Sequence, residues 1–430
     1  MNTASPAPVR RSRFRRLGVI TLWIVLGVFV FRAGLDLWTR HRLNQEIARL
    51  EARYTTIRHT DPERVPDKDN RARAIRAAVS LMSVEYKVLY SPRTAALWNA
   101  QPSAPVPSEV RALIGQNEPA LRIAEDARQR QKSNWSYERD HETPPLLATR
   151  ILANLLYAKA CMDIEDARAD EAARALASSL GVAASLRNEG PLIVQLIRIA
   201  AASQAYAGVQ RLLSGPEPSA AAMADLAVAL EEERQQSPAR VGLLGELRWG
   251  HGRWAALAEG DAQVFEEGVA GWLGERRPSV WLGLAAWFAR PVVTFVHTRF
   301  LREVDQLIDA QAVLRPNRVL PWKTQRPGWF GRFDTWMPGF ERALDSFDEH
   351  AAAQAGVATA IALRRYRLAH GAYPDDLSAL APECLKALPI DPYTGKPPVY
   401  SRIGSGFELK AGLPSIGGYD RRPFVWRVSK

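Results

Sequence analysis

The chain has 430 residues, 47% hydrophobic and 24% charged, with a net charge of +11 and two cysteines. This composition excludes a disordered chain and a disulfide framework, and it leaves room for two or three domains with real cores. Residues 1–38 hold six arginines against Asp36, leaving about +6 scattered over the remainder; no basic stripe forms, so no nucleic-acid partner is expected, only a weak attraction to anionic lipid headgroups.

In chain order, residues 1–16 are a basic tail with Arg10, Arg11, Arg13, Arg15 and Arg16, followed by a charge-free apolar run from Leu17 to Phe31. About eleven Leu, Ile, Val and Phe side chains there favour insertion by on the order of 5 kcal/mol in total, enough to predict a transmembrane helix over 17–38. Its partner is the membrane lipid bilayer. Arg32 is expected to snorkel to the headgroups, and Trp38 reads as an interfacial aromatic. The arginines before the run outnumber Arg40 and Arg42 behind it, so the N-terminus is expected in the cytoplasm and the bulk of the chain in the periplasm, held by one pass through the inner membrane. A cleaved signal peptide is the competing reading, but Phe31–Asp36 offers no small-x-small site.

Residues 39–70 read as a juxtamembrane helix and linker. Leu43, Ile47, Leu50, Tyr54 and Ile57 lie on one helical seam, which suits either a short homodimeric coiled coil or packing on the protein's own body. Residues 71–314 read as a helical body. Ser108 is an N-cap candidate, and from about Leu146 to Glu233 alanine-rich helices are separated at Arg187–Pro191 and Ser214–Pro218. Helices joined by such short turns stack as pairs, either a bundle burying its own core or a solenoid-like body with a groove for another protein. No repeat of about 34 residues is evident. Val280 to Val296 is a second apolar run, but with Arg290 and Pro291 in it the expectation is two buried helices meeting at a proline start.

Residues 315–345 are rich in Pro, Gly and Trp. Trp322, Trp329 and Trp336 are a candidate ligand surface for sugar rings of the cell wall or for the lipid interface, or aromatics that stitch a loop to the core. Residues 346–430 hold a helix over Ala351 to His370 stopped by Gly371, then Tyr373, Pro374, Asp391, Pro392, Tyr393 and Gly395, with strand candidates around Tyr400, Leu409 and Val425. Gly371 supplies a left-handed helix stop, Asp391 accepts turn hydrogen bonds and Pro392 presets its dihedral.

Together these residues, in LRRYRLAHGAYPDDLSAL and LPIDPYTGKPPVY, resemble the C-terminal half of the major pseudopilin of type II secretion, and the tails of a broad set of membrane-anchored bacterial proteins with helical bodies. The resemblance implies a long helix returning through an Asp-Pro-aromatic turn into a small antiparallel sheet, in an envelope protein. It does not extend to processing, because Trp23 stands where pseudopilins carry a glutamate, nor to calcium, because Asp420 is a lone carboxylate beside Arg421 and Arg422.

No metal, phosphate-loop or nucleophile motif occurs, so no enzyme activity, cofactor or metal is expected. Glu231, Glu232 and Glu233 read as a solvated helical end, and His251 and His297 as lone core histidines. The expected fold is mainly α: a transmembrane helix, a helical-hairpin body and a small C-terminal α+β segment. The expected function is a single-pass envelope protein that binds or scaffolds other envelope proteins, with secretion or pilus-like machinery as a setting. The alternative is an envelope enzyme or glycan-binding protein built on the tryptophan loop.

Overall fold

The computed structural model describes residues 10–57, 65–84, 86–89, 91–99, 104–135, 145–259, 280–320, 337–412 and 424–428. The helices are α1 (Arg10–Tyr54), α2 (Arg71–Leu81), α3 (Tyr86–Leu89), α4 (Ala95–Trp98), α5 (Ser108–Gln116), α6 (Glu118–Ala127), α7 (Leu146–Glu165), α8 (Ala169–Ala184), α9 (Leu192–Ser214), α10 (Ala220–Arg234), α11 (Pro238–Glu259), α12 (Val280–Ala312) and α13 (Met337–His370). The strands are β1 (Val399–Ile403), β2 (Gly406–Ala411) and β3 (Phe424–Val428). The mainly helical fold with a small C-terminal sheet is the one the sequence predicts. The chain divides into two compact units, Met1–Thr60 with Leu247–Asp305, and Asp61–Glu246 with Gln306–Lys430.

The first unit is built on α1, whose 45 residues reach about 70 Å at 1.5 Å per residue. Leu17 to Phe31 are exposed along their length, and the helix is long and apolar enough to cross a bilayer, as a signal sequence would also be. α9 passes the same test of length and hydropathy, but 56% of its apolar window is buried. Beyond the apolar run, Leu50 and Ile57 are fully buried within the single chain, so the juxtamembrane seam is taken up by the protein's own packing at those two positions. Asp305 fixes this end of α1. It accepts hydrogen bonds from Arg49 (2.7 Å), Arg53 (2.9 Å) and Tyr54 (2.6 Å) while itself almost wholly buried.

Two expectations are corrected here. Arg32 is tied to the protein rather than reaching out freely: it is only 9% exposed, its guanidinium lies 3.7 Å from the centre of the Trp287 ring, and Nη2 donates to the Trp287 carbonyl at 2.6 Å. Residues 280–296 are not two buried helices but part of one, α12, with Pro291 inside it and with Phe288, Val292 and Phe295 exposed. The two corrections share a cause. A proline inside a helix leaves the carbonyl four residues earlier without its N–H partner, and here that carbonyl belongs to Trp287, where Arg32 supplies the missing donor. His251 and His297 are not lone residues either: Nδ1 of His251 is 3.0 Å from Nε2 of His297. Burial, helped by His251, holds the His297 imidazole down to about 3, so it is uncharged at neutral pH.

The second unit is the helical body. α2 packs along α6, α7 along α8, α9 along both, α10 against α8, and α13 against α9 and α10. Side-chain caps begin α2, where Asn70 accepts from the Ala72 N–H, and α10, where Ser219 accepts from Ala222; prolines cap or open α5, α7, α9 and α11. Pro107 rather than Ser108 is the cap residue of α5, a shift of one position. Alanines and other small side chains fill α8, which is buried almost throughout and can therefore sit between α7, α9 and α10. α13 begins well before the expected Ala351, because Phe340, Ala343, Leu344 and Phe347 already form a buried face.

At the C-terminus β1, β2 and β3 form an antiparallel sheet in that order, pairing Tyr400 with Leu409 and Leu409 with Trp426. Phe407, Leu409, Trp426 and Val428 join the core, and the sheet packs on α13 and α9.

Candidate functional site

The second helix of each stacked layer, α6, α8 and α10, contributes to one wall of an open groove of about 1270 Å³. Its charges are mixed. Arg71, Arg128, Lys132, Arg174 and Arg187 face Glu125, Asp126, Asp170, Asp225, Glu231 and Glu232, with Val228, 66% exposed, as a large apolar side chain among them. Arg128 grips Asp225 through two bonds of 2.8 Å and holds its carboxyl below the usual range. Glu232 binds Arg187 at 2.6 Å and Arg71 at 2.8 Å. A groove of this size and polarity is unlike the apolar clefts that enclose small ligands. Neither sign dominates, which suits an extended polypeptide with charges of both kinds better than a polyanion.

The groove helices are set by a polar cluster inside the body. Glu233, one residue beyond the groove-lining pair Glu231 and Glu232, is fully buried, not solvated as the sequence suggests. It accepts from the Tyr206 hydroxyl at 2.8 Å and from Gln354 Nε2 at 2.6 Å, with Arg198 at 3.2 Å and the His350 Nε2 at 3.5 Å. The His350 ring stacks on Tyr206 with centroids 5.4 Å apart. Burial alone would raise the Glu233 pKa; His350, Arg198 and Tyr206 outweigh it and hold the carboxyl well below its ordinary value. Burial and Glu233 push the Tyr206 phenol up, so it remains a donor. Tyr206→Phe removes one hydrogen bond to a buried charge and is expected to lower stability by roughly 1.5–3 kcal/mol in denaturant titration.

On its other side this cluster borders a cavity of about 290 Å³, lined in part by Arg234, Arg318, Asp348, His350, Gln354 and Pro392. Arg318 already holds Asp348 at 2.6 and 2.9 Å, so the cavity's strongest charges are mutually satisfied.

The residues read from the C-terminal motif come together as a scaffold. Gly371 ends α13 at φ +78, and its N–H donates to Arg367 O at 2.7 Å. Tyr373 packs edge-on against Phe407, and the Pro374 carbonyl accepts from the Tyr400 hydroxyl at 2.6 Å. Asp391, 2% exposed, accepts from the N–H groups of Tyr393 (2.9 Å) and Gly412 (2.6 Å), while its carbonyl takes the Gly395 N–H at 2.9 Å. Pro392 accepts from the Arg315 N–H at 3.1 Å, and Arg315 lies over the Tyr393 ring. The Asp391 oxygens are thus engaged in holding the turn.

Trp322, Trp329, Trp336 and Asp420 lie outside the described residues. Cys161 and Cys384 are both free, the former buried with its thiol pushed up to about 11 by that burial. Among the described residues no group of three or more His, Cys, Asp or Glu side chains is placed to hold a metal ion. Sequence reasoning missed Glu233, Arg198 and His350. The available signal was Arg198, with Gln195, in the middle of an otherwise apolar helix, since a charge there needs a buried partner.

No family model, curated protein or solved structure matches the chain.

Proposed function

We propose that this chain is a single-pass membrane-anchored protein of the bacterial envelope whose helical body holds a polypeptide partner in its charged groove. The observation that carries the reading is the groove itself: a long wall of stacked helices, mixed in charge, with the exposed Val228 among its ion pairs. The exposed apolar stretch of α1 supports the anchor, and the arginines at positions 10 to 16 favour a cytoplasmic N-terminus and an extracytoplasmic body. The pseudopilin-like tail makes other envelope proteins, those of secretion or pilus-like machinery included, the first partners to test.

The test is chemical cross-linking in native membranes followed by purification in detergent, comparing the wild type with Val228→Arg. Val228 is exposed on a helix, so the substitution leaves stability within about 0.5 kcal/mol. Recovery of the cross-linked partner is expected to fall by on the order of tenfold or more, as for a central interface residue. Equal recovery from both proteins contradicts the reading.

A further inference from the structure

We propose that the first turns of α12 are immersed in the bilayer beside α1, as a second hydrophobic attachment that enters the membrane without crossing it. The proposal rests on the reading of α1 as the membrane anchor.

The two helices run parallel. Trp287 meets Phe29 and Arg32, Arg290 lies 3.9 Å from Asp36, Arg302 binds Glu46 at 3.0 Å, and Asp305 binds Arg49 and Arg53. Partner numbers climb together along both helices, so residues before Arg290 lie beside the apolar run of α1 and residues after it beside the charged continuation. Val280 is ten residues before Arg290, a rise of about 15 Å, half a hydrocarbon core of about 30 Å. The helix therefore enters one leaflet and stops short of the other.

Three features fit lipid as the occupant of this surface. First, Phe288 stays exposed on the apolar side of Arg290 although it and Trp287 pack against Phe29 of α1, and Val292 and Phe295 carry the same exposed face on to the headgroup level. This face continues the exposed apolar surface of α1, and a patch of that kind in water marks an interaction surface. Second, the carbonyl freed by Pro291 is satisfied from within the protein by Arg32, the condition a proline must meet in a helix surrounded by hydrocarbon. An exposed helix in water would need no such device. Third, the charges gather at one level: Asp36 has Arg40 at 3.1 Å, Arg32 at 3.8 Å and Arg290 at 3.9 Å. This places the headgroup boundary at Asp36, with the apolar parts of both helices on the same side of it.

The experiment places a photoreactive phenylalanine analogue, one at a time, at Phe288, Val292, Leu26 and Val228 of the full chain. Each protein is reconstituted into phosphatidylethanolamine and phosphatidylglycerol vesicles, irradiated, and analysed for lipid adducts by mass spectrometry. At Phe288 the analogue replaces one exposed aromatic with another, which keeps folding out of the comparison. Lipid adducts are expected at Phe288 as at Leu26, fewer at Val292 on the headgroup side of Arg290, and none at Val228. Adducts at Leu26 without adducts at Phe288 overturn the proposal and leave the anchor standing. No adduct at Leu26, or equal labelling at Val228, overturns both.

Discussion

Glu233→Gln is expected to destabilise the helical body by roughly 3–5 kcal/mol, the cost of leaving a buried charge without its counter-charge. Arg198 is fully buried, and its guanidinium is held by Glu233 and by Gln195. Glutamine keeps the shape and can still bond Tyr206 or Gln354, but it withdraws the negative charge while Arg198 stays in place. Thermal unfolding should fall by on the order of 10 °C. Because the cost comes from the uncompensated partner, the double variant Glu233→Gln with Arg198→Met should be more stable than Glu233→Gln alone.

The pH dependence carries the same sign. The folded Glu233 pKa is depressed, so its contribution is complete above the carboxyl's ordinary value of 4.5 and is lost as pH falls toward the lowered folded value. The stability gap between wild type and Glu233→Gln should shrink as pH falls below about 4.5. Urea titrations across that range check it, and a gap that widens on acidification contradicts the assignment.

Gly245→Ala is the second substitution with a large effect. α11 crosses the turn before α9 so closely that a Cβ on Gly245 would lie 1.6 Å from the Gly190 carbonyl oxygen and 1.9 Å from its carbon. Both are backbone atoms, so no side-chain rotation relieves the overlap, and one segment must move. The expected loss is about 3 kcal/mol, the upper part of the overpacking range. Gly252→Ala is the control. It lies in the same helix with nothing within 4 Å of the added methyl, so it should be neutral or gain up to about 1 kcal/mol from helix propensity. Similar denaturation midpoints for the two variants would contradict the close crossing.

Local signals in the sequence were enough for the C-terminal segment. Gly371 after a helical run, an Asp-Pro-Tyr turn and alternating side chains each act over a few residues, and the helix stop, the buried Asp391 turn and all three strands stand where those signals put them. The stops at Arg187–Pro191 and Ser214–Pro218 were legible for the same reason. What was not legible depends on residues far apart in the chain. Glu233 looks like one of three solvated glutamates until Arg198, Tyr206, His350 and Gln354 are brought around it. Pro291 looks like a helix start until Arg32, more than 250 positions earlier, takes the carbonyl it frees. The early start of α13 was hidden by the density of Trp, Pro and Gly just before it, which outweighed the apolar spacing of Phe340, Ala343, Leu344 and Phe347. The groove belongs to the same class: its helices were readable one by one, but which faces they turn to a common opening was not.

The most direct test of the account is a photoreactive residue at Val228, irradiated in native membranes, with and without Asp225→Arg in the same chain. Asp225 lines the same groove, where it pairs with Arg128 at the surface. A discrete protein adduct that is lost with Asp225→Arg is the predicted result. No adduct, or an adduct indifferent to that charge reversal, would contradict a groove that holds a polypeptide.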